Sequence, residues 1–418
     1  MLRRWWTASD HLQLLESERN LLAKLVRHPF HKPSRLQEEG DDDCKGGGGQ
    51  ELNLVEFRAA GSPSSSSLPT VVMAHGFGSG LSFFYRNVDD LLDSGKIGRV
   101  ILVDWLGMGG SARPPCWESP VRSLFSTATT ATTTETTTSR KFSLCNSEFS
   151  PSSAIDFFLD PFDRMMRNKE LFDDDEPVWL IGHSLGGYLA GMYAMRQYNN
   201  SLNNNDTTKK KRALNLTKLI LISPVGFRPQ PTSPQRTRIA SSSNMPPALR
   251  LVDALWSANL TPQALIRLMG SLRGRHAVTR ALRGRIPQLD ESELVLLSDY
   301  LYHVTVAPPS GEYAMNSLME PGTSEEDGLG VYAIQPLGGG TLARAITQSS
   351  SLSTLKSIKV LYGDRDCMTF HEPEARLEMQ RIQQSDCGIQ AEVHIVPEAG
   401  HHLYLDNSKI FARHIVES

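Results

Sequence analysis

Long apolar runs are missing from this 418-residue chain. The longest, VWLI and LILI, fall far short of the roughly 20 apolar residues that a membrane-spanning helix needs. Paired cysteines are missing too. Cys44, Cys116, Cys145, Cys367 and Cys387 are odd in number and contain no CxxC spacing. That excludes a disulfide scaffold and fits a reduced, intracellular protein. Charge of one sign is also scarce. The net charge of −3 argues against a general nucleic-acid binder. The N-terminus MLRRWWTASDHLQLLESERNLLAKLV lacks the apolar stretch of a secretory leader and turns acidic at Asp10, Glu16 and Glu18. Two early arginines leave a mitochondrial location open.

Polar, low-complexity tracts account for much of the low apolar content. DDDCKGGGGQ (41–50), STATTATTTETTTS (126–139) and NNSLNNNDTTKKKR (199–212) have almost nothing to bury. Between them lie short Val/Ile/Leu-rich runs: TVVMAH (70–75), RVILVDW (99–105), PVWLIGH (177–183), KLILIS (218–223), IKVLYG (358–363) and AEVHIV (391–396). Such runs suit parallel strands covered on both faces. Helical patterns at 83–95 and 184–198 alternate with them, which predicts an open α/β sheet flanked by helices.

This gives a division into an amphipathic N-terminal helix (1–40), a linker (41–54), a first core half (55–227), a helical cap (228–355) and a second core half (356–418). The cap contains PPALRLVDALWSAN, TPQALIRLMGSLRG and ESELVLLSDYLYHVTV, inserted before the fifth of the six runs. Ligand sites of such sheets lie at the carboxyl ends of the strands, so an insertion there would cover the site. Trp5, Trp6 and the leucines that follow predict a helix either resting in a membrane interface or docked on the domain.

Chance supplies roughly 0.1–0.2 GxSxG matches in a chain this long. Here Gly182-His183-Ser184-Leu185-Gly186 follows a buried run and opens an apolar helix, the setting of a nucleophile elbow. The alternative for Ser184 is an ordinary helix N-cap. A serine hydroxyl needs a base. His401, after a glycine in the loop leaving the last strand, fits that role, with His402 its nearest rival. LYGDRDCM (361–368) supplies the acid. Asp366 is preferred, and Asp364 is assigned to capping the turn. The order Ser184, Asp366, His401 matches the order expected for such an elbow. The oxyanion donors predicted are the backbone N–H groups of Leu185 and of Phe77, in HGFGSG. DWLGMGGSARP (104–114) reads as a structural turn under the site. This chemistry calls for no cofactor and no metal.

Taken together, these motifs resemble the α/β-hydrolase superfamily over about residues 55–415. The tryptophan-bearing N-terminal helix, HGFGSG, DWLGMGGSARP, GHSLGGYLA, LISPVGF, GEYAMNSL, LYGDRDCM and GHHLYLD resemble one lipid-acting branch. That branch holds N-acyl phospholipid lipases, lysophosphatidate acyltransferases, a lipid-droplet lipase coactivator with asparagine at the elbow, and fungal cardiolipin deacylases. Retention of Ser184 resembles the active members. Ile334 and Gln335 in VYAIQPL stand where those relatives usually carry basic residues. His401 to Asp406 forms an HxxxxD spacing, which in that branch implies acyl transfer from acyl-CoA to lysophosphatidate. Asp406 could equally be the N-cap of the final helix, NSKIFARHIVES.

Ten arginines, no lysine and one acid, Asp253, lie between Arg228 and Arg285. Guanidinium forks suit phosphate, so Arg267, Arg273 and Arg275 become headgroup candidates. A solvated, internally paired helical face is the other reading. The expected function is a serine hydrolase of glycerolipid acyl esters, most simply a phospholipase, peripheral on a membrane or lipid droplet. The alternatives are an acyl-CoA-dependent acyltransferase and a non-catalytic coactivator.

Overall fold

A computed structural model describes residues 10–32, 50–59, 68–114, 150–203, 214–229, 261–324, 328–348 and 354–417. Trp5, Trp6, the tracts at 41–49, 126–139 and 204–212, and the stretch PPALRLVDALWSAN lie outside them. The described residues contain ten strands: β1 (Phe30–His31), β2 (Leu54–Arg58), β3 (Thr70–Ala74), β4 (Arg99–Val103), β5 (Val178–His183), β6 (Leu216–Ile222), β7 (Met319–Ser324), β8 (Gly328–Ala333), β9 (Ser357–Gly363) and β10 (Gln390–Val396). Eight form one sheet in the order β1-β2-β4-β3-β5-β6-β9-β10. From β4 to β10 every pairing is parallel, while β1 and β2 add an antiparallel edge. The six apolar runs are the six parallel strands, and the fold is the mostly parallel, helix-flanked sheet expected.

Successive strand residues face opposite sides. Val72, Ala74, Ile101, Val103 and Leu180 point into one core with Phe158, Phe162, Tyr188, Tyr193 and Met379 from the helices on that side. Val71, Met73, Val100, Leu102 and Ile181 point into the other, with Leu21, Leu22, Val88, Leu297, Tyr300 and Phe411. Burial on both faces explains why these strands read as continuous apolar runs rather than alternating ones.

Helix His11–Leu25 starts at Asp10, whose side chain accepts from the Gln13 N–H while Gln13 answers with a reciprocal bond. It buries Leu14, Leu21 and Leu22 and packs on helix Glu291–Val306. For the leucine-bearing part, the arrangement is therefore a docked helix. Above the sheet, TPQALIRLMGSLRG is not one helix. Gly270, at φ 74°, breaks it into Pro262–Leu268 and Gly270–Arg285. The β7–β8 hairpin has no counterpart among the sequence expectations. No helix among the described residues is long and apolar enough to cross a membrane.

Candidate active site

Strand β5 ends at His183, and helix Leu185–Asn203 begins two residues later. Ser184, caught between them, has φ 53°, a left-handed conformation that costs a non-glycine residue about 1 kcal/mol or more. The surroundings impose it. Ser184 N–H donates to Ile222 O at 2.8 Å, and Ser184 O accepts from Tyr188 N–H at 3.0 Å. A Cβ on Gly182 would strike the Gly186 carbonyl, and one on Gly186 would strike the His75 carbonyl. Both glycines are thus needed for helix and strand to meet this closely. A Cβ on Gly76 would lie 3.0 Å from Ser184 Cβ, so the loop after β3 runs directly against the serine. Ser184 is half-buried rather than sealed. Its carbonyl takes the first bond of the helix, as an N-cap position does, but its left-handed φ differs from the extended backbone of an ordinary N-cap.

His401 and Asp366 come together as a pair. His401 Nδ1 lies 2.9 Å from Asp366 Oδ1, and Asp366 Oδ1 also accepts from Met368 N–H at 2.9 Å. Burial pushes the Asp366 carboxyl up, but the hydrogen bond and charge of His401 outweigh it and hold the pKa below the ordinary value. His401 is partly exposed, with its carbonyl accepting from His183 Nε2 at 2.9 Å; the His183 and His401 rings are 4.7 Å apart. The side chain of the residue before the serine is therefore tied directly to the backbone of the histidine. His402, the rival base, is buried and its Nδ1 faces the Tyr404 hydroxyl at 2.9 Å. Burial pushes the His183 and His402 rings well below the ordinary imidazole range, so both stay neutral.

Among the described residues, three non-glycine residues have φ in the left-handed region: Ser184, Ser223 and Glu398. All three sit at or just beyond strand ends around His401. Ser223 Oγ donates to His401 O at 3.4 Å. Asp364 does not cap its own turn. Its carboxylate accepts from the N–H groups of Glu398 and Ala399, each at 2.9 Å, and so clamps the loop leading to His401. Asp406 performs a similar task one residue nearer: Oδ2 accepts from Gly400 N–H at 2.7 Å, and Oδ1 from Gln288 Nε2 at 2.6 Å. The final helix is capped by Asn407, whose side chain accepts from Ile410 N–H. The N-cap expectation for Asp406 is therefore corrected, because its carboxylate is turned back toward the histidine loop.

Leu185 is the first residue of its helix, so its N–H has no acceptor one turn earlier. Phe77 is half-buried in the loop that touches Ser184. That loop is held from below by Asp104, which accepts from Leu81 N–H, Gly110 N–H and Asn53 Nδ2, each at 2.8 Å, and faces His75 Nε2 at 3.2 Å. DWLGMGGSARP is thus a support, as its composition indicated. The network continues from Asn53 to Glu18, buried on the N-terminal helix, and Lys32. Burial drives the Glu18 carboxyl up to about 7 against the opposing Lys32 charge. Sequence reasoning missed this network because a buried glutamate inside a leucine-spaced helix looks like a residue of its polar face.

Of the three headgroup candidates, Arg267 and Arg275 have partners within the chain. Arg267 forms an ion pair with Glu312 of GEYAMNSL and donates to Ala307 O at 3.1 Å. Arg275 pairs with Asp299, lies 3.0 Å from His303 Nε2 and stacks on Tyr302 at 4.2 Å. Internal partners absorb both guanidinium groups. Arg273 is exposed. Gln335 donates to Ser152 Oγ at 3.2 Å, and its carbonyl accepts from Tyr188. The cap lies over the site: a Cβ on Gly78 would be 3.3 Å from Gln263 Nε2.

The chain is similar to a 1-acylglycerol-3-phosphate O-acyltransferase of Arabidopsis thaliana, 28% identical over 362 residues, 85% of this chain and 66% of that one. It is also similar to a human (lyso)-N-acylphosphatidylethanolamine lipase, 27% identical over 262 residues, 62% of this chain and 58% of that one. It thus spans less than two thirds of either relative. Among solved structures, a Bacillus subtilis hydrolase aligns over 97% of this chain and 98% of that one, with a TM-score of 0.50 and 13% identity, which speaks for the fold alone. The model of the alpha/beta hydrolase family matches residues 71–414, and the chain belongs to that family.

Proposed function

We propose that the protein is a serine hydrolase that cleaves acyl esters of glycerophospholipids through an acyl-serine intermediate. The observation that carries this reading is the left-handed Ser184 at the strand–helix junction, beside a loop whose His401 is paired with the buried Asp366. Ser184 Oγ attacks the ester carbonyl, and His401 Nε2 takes its proton. Asp366 orients the ring and stabilises the imidazolium without itself taking the proton. Leu185 and Phe77 N–H groups hold the oxyanion as the carbonyl carbon becomes tetrahedral. When the carbon–oxygen bond to glycerol breaks, the imidazolium protonates the departing alkoxide. Water then attacks the acyl-serine, His401 takes a proton from it, and Ser184 Oγ leaves with that proton as the fatty acid is released.

Lipid chemistry is supported by both named relatives, one a lipase and the other an acyltransferase of lysophosphatidate. The second name favours an alternative ending: the hydroxyl of a lysophosphatidate replaces water, and acyl-CoA loads the serine. Both routes pass through an acyl-serine, with the coenzyme A thiolate leaving in place of the glycerol alkoxide, and one experiment separates them. Purified protein is given cardiolipin, phosphatidylcholine, phosphatidylethanolamine and triglyceride in turn, and lysophosphatidate with labelled acyl-CoA in parallel. Free fatty acid from a phospholipid supports the hydrolase. Phosphatidate formed without fatty acid transfers the assignment to the acyltransferase. Turnover of triglyceride alone defeats the phospholipid reading. The reading places the protein peripherally on a membrane or lipid-droplet surface inside the cell.

A further inference from the structure

Cys367 stands beside the proposed acid and base yet has no part in the reaction. It follows Asp366 in the turn after β9, and its side chain is exposed. Cys367 Sγ, an Asp366 carboxylate oxygen and a His401 ring nitrogen all lie within 4.8 Å of one another. Among the described residues, no other three histidine, cysteine or acidic side chains converge in this way. Asp366 Oδ1 faces His401 Nδ1 and accepts from Met368 N–H, each at 2.9 Å. Asp366 Oδ2 is buried and has no hydrogen-bond partner among the described residues. A buried carboxylate oxygen left unsatisfied is costly, and a cation relieves that cost.

The donor set selects the ion. Thiolate, imidazole and carboxylate together are ligands of zinc, whereas calcium and magnesium take oxygen. In a tetrahedral zinc site the donor atoms stand about 3.3–3.6 Å apart, given bond lengths of roughly 2.0–2.3 Å. The cluster lies close to that arrangement. His401 and Asp366 need to part by only a few tenths of an ångström, and the exposed Cys367 side chain can swing in. The thiol releases its proton to solvent as the zinc–sulfur bond forms. Either ring nitrogen, once metal-bound, disables His401 as a base. An ion on Nε2 occupies the lone pair that would take the Ser184 proton. An ion on Nδ1 replaces the hydrogen bond to Asp366 and leaves the ring proton on Nε2, where it blocks the same lone pair.

We propose that Cys367, Asp366 and His401 form an inhibitory site for a thiophilic divalent cation, zinc above all, which reversibly disables the base. The ion takes no part in ester cleavage. The site depends on the three side chains alone. Its inhibitory effect rests on the reading of His401 as the base of a serine hydrolase.

Cobalt(II) in place of zinc reports the site directly, because a thiolate bound to it gives a charge-transfer absorption in the near ultraviolet. The metal-stripped full chain is titrated with cobalt. In parallel, zinc is added during hydrolysis of a short-chain, phosphate-free ester. The parent should show the cobalt band, Cys367→Ser and Cys367→Ala should lose most of it, and Cys387→Ser, at the other described cysteine, should keep it. Zinc should inhibit the parent, and a chelator should restore the rate. In Cys367→Ser the half-inhibiting zinc concentration should rise at least about tenfold, with each variant scaled to its own zinc-free rate. A band absent from the parent, or undiminished in Cys367→Ser, overturns the site. The same half-inhibiting concentration in parent and Cys367→Ser overturns the inhibitory role, as does a parent that zinc does not slow. A band that follows Cys367 in a chain that hydrolyses no ester supports the site and counts against the hydrolase reading instead.

Discussion

Asp406 separates two accounts of the same histidine. If the HxxxxD spacing is chemical, its carboxylate must act on His401 during acyl transfer. The structure gives His401 Nδ1 to Asp366 and gives Asp406 to the Gly400 N–H and the Gln288 amide. Asp406 is then a positioning residue, acting through the backbone before His401. Its removal in Asp406→Ala strands a half-buried N–H, which costs about 1–3 kcal/mol. Some of that loss moves His401, so kcat should fall roughly tenfold to a hundredfold. Asp406→Asn keeps an oxygen where Gly400 needs one and should lose less than about fivefold. Asp366→Asn removes the charged partner of the ring and should lose on the order of 10⁴, as in the serine-protease triad. The assay is single-turnover acylation and deacylation for the three variants, with acyl transfer to lysophosphatidate measured in parallel. The reasoning is refuted if Asp406→Asn abolishes transfer while sparing hydrolysis, or if it costs as much as Asp366→Asn.

Two further outcomes follow from close packing and from burial. Gly186→Ala sets a methyl against the His75 and Ala74 carbonyls; the overpacking should cost about 1–3 kcal/mol, read as a lowered Tm, and an unchanged Tm would contradict the close approach of helix and strand. Glu18 titrates at about 7 in the folded chain, against an ordinary value of 4.5. A raised acid favours folding while protonated, so stability should decline as pH climbs from about 4.5 and level off above about 7, by roughly 3 kcal/mol at most. Chemical denaturation of Glu18→Gln across that range should show a flattened slope; an unaltered slope places the titrating group elsewhere.

The parallel core was legible because strands buried on both faces write themselves as Val/Ile/Leu runs. Elements without that signature were not. LVEFR of β2 is a short antiparallel strand, second from the edge, with Glu56 and Arg58 in it, and the β7–β8 hairpin runs through Pro321 and Gly322. The candidate site was legible where chemistry demands a residue type at a strand end, as with Ser184, Asp366 and His401. It failed where partners lie far away in sequence. Arg267 looked available because nothing local opposes it, yet Glu312 lies 45 residues on. Asp406 sits beside a helix start, and only the folded loop shows it reaching back to Gly400. The Glu18–Asn53–Asp104 network joins three separate segments and leaves no pattern in any of them.

Trapping the intermediate tests the central claim most directly. The protein is mixed with a glycerophospholipid, quenched in acid within a turnover, and digested for mass spectrometry. The account predicts one fatty-acyl adduct, on Ser184, absent from Ser184→Ala, with hydrolysis in that variant reduced at least about 10³-fold. An adduct on another residue, or undiminished hydrolysis by Ser184→Ala, would contradict it.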